Sequence, residues 1–114
     1  MPHPSRYDLS MGQPSETAVK ALFTNSRNLC FFTRCEERLT DPKWKQAAGE
    51  VAYIKGEHPG SARYDTGQSE QDRHGYDNLM VLCPKHHKLV DRQRPDDYPP
   101  DVLTEMRARG LSHF

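Results

Sequence analysis

The cysteines of this chain fall in two short-spaced groups, and these groups limit how such a sequence can fold. Cys30 and Cys35 are separated by four residues, and Cys83 is followed by His86 after two residues. Each group fits within one turn, and together they use all three cysteines of the chain. Three thiols and an imidazole are donor types of a closed tetrahedral zinc site. The spacing therefore predicts that these four residues bind a structural zinc ion, the alternative being buried apolar cysteines and a surface histidine.

The composition explains why a bound metal would help to stabilise such a chain. Only 34% of the 114 residues are hydrophobic and the mean hydropathy is −0.94, so one domain with a thin core is expected. Small domains of this kind commonly need a metal or disulfides. Three cysteines cannot all pair with one another, and no apolar run resembles a signal peptide or a membrane span. We therefore expect a reduced, cytoplasmic protein without a membrane partner.

Charge gives no general reason to bind nucleic acid. Sixteen basic and sixteen acidic residues leave a net charge of zero. Electrostatic attraction to a polyanion needs an excess of positive charge, at least on one face. A local basic face remains open to such a chain, although most of its lysines and arginines taken singly would be ordinary solvated residues.

Local patterns predict an α+β domain over residues 14–114, after a flexible segment at residues 1–13. Ser15 is expected to cap a first helix that starts near Glu16. The β-branched and aromatic residues of 50–54 and the apolar residues of 79–82 predict two strands.

Two more helices are expected in the C-terminal part of the chain. Pro84 can open a helix at its first position, and that helix would carry His86 and His87. Asp101 is expected to cap a final helix, with Gly110 as its C-terminal stop. Adjacent side chains on a helix point about 100° apart, so His86 and His87 cannot comfortably bind the same ion. If His86 faces zinc, His87 faces a second site.

Five segments of the sequence resemble the HNH endonuclease family, whose fold is the ββα-metal (His-Me finger) core. The resemblance covers roughly residues 28–109, and Asn78 precedes His87 by nine residues, as the family's asparagine precedes its final histidine. It implies a zinc-stapled ββα-metal core with flanking N- and C-terminal helices. The segments that carry it are residues 30–35, 49–54, 60–65, 75–79 and 83–91.

The resemblance also implies roles for three residues. Asn78 would order the loop of the general base, and His87 would hold a catalytic divalent ion, Mg²⁺ or Mn²⁺. Tyr53 stands where the family has its general-base histidine. A phenol titrates near about pH 10, so Tyr53 could accept a proton only if its pKa were lowered, for example by Lys55 or Arg63. Three readings stay open: an activated phenol, a natural loss of catalysis, or a substitution introduced to disable the site.

The ligands of the catalytic ion are a second departure from the family. Ala52 stands where many members have an aspartate ligand, so other oxygen atoms are needed. Glu50 is preferred because it lies two residues back, on the same strand face as Ala52, although a solvent-facing role is equally compatible. Asp65 and Asp77 are further candidates.

The connection from Lys55 to Asp77 contains two histidines, His58 and His74. Either could contact DNA or act as a stand-in base, but lone loop histidines are more commonly solvated. Long connections without structure of their own are uncommon and often functional.

The resemblance implies an endonuclease that hydrolyses DNA phosphodiesters with little intrinsic sequence preference. Lys85, Lys88 and Arg63 are the candidates for phosphate contacts. A short, neutral module is expected to rely on a targeting protein or on oligomerisation, as in bacterial defence, restriction or mobile-element systems. The alternative is a catalytically inactive, zinc-stabilised module that binds nucleic acid or a partner protein.

Overall fold

The computed structural model describes residues 12–40 and 48–112, which form a small α+β fold. The expected flexible segment, residues 1–13, lies outside these ranges except for its last two residues. The elements are, in chain order, helix α1 (Glu16–Asn25), strand β1 (Glu50–Tyr53), the one-turn helix α2 (Glu70–Arg73), strand β2 (Leu79–Leu82), helix α3 (Pro84–Lys88) and helix α4 (Pro100–Leu111). Helix α3 continues into a π-helical turn, Leu89–Gln93, and short 3-10 turns occupy Tyr76–Asn78 and Pro95–Asp97.

The two strands form an antiparallel hairpin with a long connection. Glu50 pairs with Leu82 at one end and Tyr53 with Leu79 at the other. The predicted second strand is confirmed, and the first ends one residue earlier than predicted. Helix α1 packs against β2, and α3 packs against both strands. The buried apolar residues are Leu22, Cys30, Phe31, Leu39, Ala52, Ile54, Leu79, Met80, Val81, Leu82, Cys83, Val90, Leu103 and Met106.

The predicted N-terminal ends of helices α1 and α3 are confirmed. The Ser15 Oγ accepts a hydrogen bond from the Ala18 backbone N–H at 3.0 Å, which satisfies one free amide of the first turn of α1. Pro84 occupies the first position of α3, where its missing N–H costs nothing.

The predicted ends of helix α4 are wrong. Pro99, not Asp101, is the N-terminal cap, and Pro100 begins the helix; proline has no N–H there that would need a cap. Gly110 does not stop the helix, which runs on to Leu111. A Cβ atom on Gly110 would lie 2.3 Å from Cδ1 of Phe31, so this glycine lets the helix approach a buried ring.

Helix α4 is also tied to the hairpin by a buried arginine. The Arg107 Nε donates to the Leu79 carbonyl at 2.7 Å, and its Nη2 donates to the Tyr76 carbonyl at 2.8 Å. In the part of the chain covered by the structure, no helix has both the length and the apolarity to cross a membrane.

Candidate functional site

The predicted cysteine and histidine cluster forms. The four possible ligand atoms of Cys30, Cys35, Cys83 and His86 all lie within 4.8 Å of one another. The His86 Nδ1 is 3.4 Å from the Cys83 Sγ and 3.8 Å from the Cys30 Sγ. A tetrahedral zinc ion with ordinary bond lengths would separate sulfur and nitrogen by about 3.5 Å. The cluster could therefore bind a metal such as zinc.

Two backbone features bring the halves of this cluster together. The Phe31 N–H donates to the Val81 carbonyl at 2.9 Å, so the segment after α1 runs beside β2 and carries Cys30 to Cys83. The turn between Cys30 and Cys35 closes through Arg34, which has a left-handed φ of 65°. The Cys35 N–H donates to the Phe32 carbonyl at 2.9 Å.

Burial shifts the pKa values of two residues of the cluster, Cys30 and His86. Burial raises the pKa of the Cys30 thiol to about 12, although the backbone N–H groups of Cys83 and Phe32, 3.2 Å and 3.5 Å from its sulfur, act in the opposite direction. A cation would supply the positive charge that the thiolate needs. Burial, followed by the charge of Lys85, lowers the pKa of His86, which keeps its ring neutral and able to bind a metal. The Phe32 ring stacks on the His86 ring at 3.9 Å and holds its orientation.

His87 lies in a different environment from His86. Its Nδ1 is 2.9 Å from the Glu50 Oε1, and its Nε2 is 2.9 Å from the Asp91 Oδ2. The hydrogen bond to Asp91 raises the pKa of His87; burial opposes this rise and the hydrogen bond to Glu50 adds to it. The ring is therefore held between two carboxylates, one from β1 and one from the turn after α3.

Asp91 was not among the ligands considered from the sequence. It lies four residues after His87, so the two side chains share one helical face, and this spacing is the signal that could have identified it. Burial raises the pKa of Asp91, but hydrogen bonds from His87 and Arg63 outweigh burial and leave it below its ordinary value. Asp65 and Asp77, the two further ligand candidates from the sequence, lie elsewhere. Asp65 accepts hydrogen bonds from Lys55 at 3.2 Å and from the Gly67 N–H at 2.8 Å, and Asp77 lines a separate pocket.

The surroundings of the Arg63 side chain are not compatible with the predicted phosphate contact. Its side chain is 6% exposed, and its guanidinium forms an ion pair with Asp91. It also donates to the carbonyls of Ile54 at 2.6 Å, Val90 at 2.7 Å and Tyr53 at 3.2 Å. These contacts use the donors that a phosphate would need, so Arg63 fixes Asp91 instead.

Tyr53 does not meet the conditions for a simple activated phenol. Burial, with a contribution from Glu57, raises the pKa of Tyr53 above its ordinary value. Neither predicted cation lowers it, because Lys55 pairs with Asp65 and Arg63 binds the Tyr53 backbone. The Tyr53 hydroxyl lies 2.7 Å from the Nδ1 of His74. His74 is only 8% exposed, so the general expectation of a solvated loop histidine is wrong for it.

The predicted hydrogen-bonding role of Asn78 is confirmed. Its Oδ1 accepts from the Lys55 N–H at 2.9 Å, and its Nδ2 donates to the Lys55 carbonyl at 3.0 Å. The same Nδ2 donates to the Arg73 carbonyl at 2.8 Å. Asn78 thereby joins both ends of the connection that follows β1.

An open cleft of 740 Å³ contains the His87 centre. Tyr53, Glu50 and Asp91 line it, and the exposed side chains of Lys88 and Arg92 add positive charge. Lys85 lines a different pocket beside Cys35 and His86, away from this cleft. Of the three predicted phosphate contacts, only Lys88 is therefore in a position to serve the cleft.

No protein-family model matches the chain, and no curated protein matches it significantly.

Proposed function

We propose that this chain is an HNH-type endonuclease module that hydrolyses DNA phosphodiester bonds with a divalent cation. The observation that carries the proposal is the position of His87, held between Glu50 and Asp91 in an open cleft. The order of β1, β2 and α3 agrees with the strand–strand–helix order of a ββα-metal core. The nearby Cys/His cluster would hold a structural zinc ion and staple that core.

The donors around His87 suit a catalytic Mg²⁺ or Mn²⁺ ion. Carboxylate oxygens are the preferred ligands of these ions, and His87 would add one imidazole nitrogen to them. Asp91, Glu50 and His87 would hold the ion, with Arg63 fixing Asp91 from the protein side. The ion would neutralise charge on the scissile phosphate and stabilise the leaving oxygen.

The remaining residues would position the substrate and the loop. Lys88 and Arg92 would contact DNA phosphates from the surface of the cleft. Asn78 would keep the connection after β1 in place through its three side-chain hydrogen bonds. The zero net charge supports reliance on a targeting protein or on oligomerisation for substrate binding. The proposed location of this activity is the cytoplasm.

One observation favours a second candidate function. The raised pKa of Tyr53 is the opposite of what a lone phenolic base needs. Deleting a positioned base typically costs about 10²–10⁴-fold in rate. The second candidate is therefore a zinc-stabilised module that kept the fold, lost the chemistry, and binds nucleic acid or a partner protein.

Nicking of supercoiled plasmid DNA with Mg²⁺ or Mn²⁺ tests the two candidates. The first predicts cation-dependent nicking by the wild-type chain, and a loss of about 10²-fold or more in Asp91→Asn and His87→Ala. Asp97→Asn is the matched control, since Asp97 also pairs with an arginine, Arg94, but lies outside the cleft. Zinc content and circular dichroism would show that each variant is folded. Nicking that survives His87→Ala would refute the metal assignment.

The Tyr53→His variant separates the candidates further. Strong cleavage by this variant alone would show that Tyr53 disables the site. Equal cleavage by both forms would refute a loss of catalysis caused by Tyr53. DNA or protein binding without cleavage by either form would support the second candidate.

A further inference from the structure

Three ionisable side chains lie in a row that leads away from the cleft, joined by one hydrogen bond and one ion-pair contact. The Tyr53 hydroxyl lies 2.7 Å from the His74 Nδ1, and the His74 Nε2 lies 3.3 Å from the Glu70 Oε2. Tyr53 lines the cleft, whereas His74 and Glu70 line a second groove, beside α1. The row therefore runs from the catalytic cleft through a buried imidazole to a half-exposed carboxylate.

The partners of His74 determine which of its nitrogens carries the proton. An ionised Glu70 can only accept, so a neutral ring with its proton on Nε2 is the tautomer that gives Glu70 a donor. Nδ1 is then free to accept the proton of the Tyr53 hydroxyl. Tyrosine, histidine and glutamate thus stand in the order of a donor, a base and a group that orients the base.

We infer that Tyr53, His74 and Glu70 form a proton relay that replaces the missing histidine base, an inference that rests on the proposed nuclease function. As the attacking water forms its bond to phosphorus, its proton passes to the Tyr53 oxygen. The phenolic proton passes at the same time to the His74 Nδ1, and Glu70 stabilises the resulting imidazolium. The phenol is restored, no free phenolate forms, and the acceptor of the proton is an imidazole.

The surroundings of His74 suit an acceptor at neutral pH. Burial lowers the pKa of His74, the charge of Glu57 opposes this, and the charge of Arg73 acts with burial. The groups that face it are Tyr53 from β1, Glu57 from the following loop, and Glu70 and Arg73 from α2. The ring is neutral above its lowered pKa, so the acceptor step of the relay is lost only below the ordinary histidine range of about 6.5, at lower pH than the cation site that depends on His87.

Nuclear magnetic resonance of the histidine ring nitrogens tests the hydrogen-bond order without any cleavage assay. In the zinc-loaded chain, the relay predicts a proton on the His74 Nε2 and an unprotonated Nδ1. In Tyr53→Phe the same tautomer should persist, but the Nδ1 signal should shift because it loses its donor. A proton on Nδ1 in the wild-type chain would overturn the relay, because the phenol could not then give its proton to His74.

A double-mutant cycle in plasmid nicking tests the proton transfer. Glutamine at His74 can still accept a hydrogen bond from Tyr53 but cannot take up its proton near neutral pH. His74→Gln should therefore reduce nicking by about 10²–10⁴-fold in the wild-type background. In the Tyr53→His background, where a histidine already occupies the base position, the same change should alter the rate by less than about threefold.

Control variants for this cycle distinguish proton transfer to His74 from a purely structural role of His74. Glu70→Gln should reduce nicking, whereas Glu105→Gln should not, although each removes a carboxylate from an i,i+4 pair. Equal losses from His74→Gln in both backgrounds would indicate a structural role and overturn the relay. Wild-type nicking that His74→Gln leaves intact would overturn the relay alone. No nicking by any form, including Tyr53→His, would overturn the proposed function and the relay with it.

Discussion

At the scale of single residues, two adjacent histidines serve two different centres. His86 faces the sulfurs of Cys30 and Cys83, whereas His87 lies between Glu50 and Asp91. Their directions diverge because successive helical side chains point about 100° apart. One turn of helix therefore lies between the Cys/His cluster and the open cleft.

The protonation of His87 should control cation binding in the cleft. Its pKa is raised, chiefly by Asp91, so the protonated ring persists above the ordinary histidine range of about 6.5. A metal ion needs the neutral ring, and affinity for Mn²⁺ should therefore fall as the pH drops through that raised pKa, by up to about tenfold per pH unit. Titration calorimetry across about pH 5.5–8 measures this. Constant affinity over that range would contradict binding by His87.

The side chain of Asn78 should contribute strongly to stability. Asn78→Ala leaves two carbonyls and one N–H of the loop without their partner, and each buried orphan costs about 1–3 kcal/mol. We expect the free energy of unfolding to fall by about 2–4 kcal/mol in urea denaturation. Asn25→Ala is the control, because it removes a single partly buried hydrogen bond, to the Tyr76 hydroxyl, and should cost about 1 kcal/mol. Equal losses in the two variants would show that Asn78 does not brace the loop.

At the scale of elements, the hairpin and the helix that follows it position the cleft. Strand β1 supplies Glu50 and Tyr53, and α3 with its π-helical turn supplies His87 and Asp91. The packing of α3 against β1 brings these residues together, although Glu50 and His87 are 37 positions apart in the chain. Helix α4 supports the hairpin through Arg107, which donates hydrogen bonds to the Leu79 and Tyr76 carbonyls.

Gly110 should be required for the packing of helix α4. Alanine in place of glycine usually stabilises a helix by about 0.5–1 kcal/mol. Here the new Cβ would meet the buried Phe31 ring at 2.3 Å, so Gly110→Ala should instead destabilise the fold by about 1–3 kcal/mol. Gly67→Ala is the control, since its Cβ would have only an ordinary contact at 3.4 Å. A more stable Gly110→Ala variant in thermal melting would contradict this packing.

At the scale of the whole molecule, the Cys/His cluster links two distant parts of the chain. Cys30 and Cys35 follow α1, and Cys83 and His86 follow β2. A metal at this point would hold the first helix against the hairpin in a protein whose hydrophobic content is only 34%. The binding energy of a structural metal then becomes part of the folding free energy.

Removal of zinc should therefore destabilise the entire fold. Each kcal/mol shifts the Tm of a domain of this size by roughly 4–8 °C, so chelation should lower the Tm by more than about 10 °C. Elemental analysis should find one zinc ion per chain before chelation and none afterwards. Cys83→Ser is the control, because chelation should cause little further loss in a chain that already lacks one ligand. A Tm that chelation leaves unchanged would refute a structural zinc.

Much of the secondary structure could be predicted, because its signals are local. Ser15 and Pro84 mark helix starts through their own chemistry, and residues 79–82 form a strand on their apolar content. The error at Gly110 has a tertiary cause: a glycine that ends a helix and one that admits a neighbouring ring look alike in a sequence. Arg63 was misassigned for a similar reason, since its four acceptors come from two separate segments, residues 53–54 and 90–91.

The zinc-type donor set, the different directions of His86 and His87, and the hydrogen bonding by Asn78 could be predicted without any knowledge of the fold. Each of these follows from residue chemistry and from spacing within a turn or a strand. The carboxylates that flank His87 and the partner of the Tyr53 hydroxyl became visible only in the folded chain. Tyr53 and His74 are 21 positions apart, and their contact depends on how the long connection folds back against β1, which short-range sequence patterns do not encode.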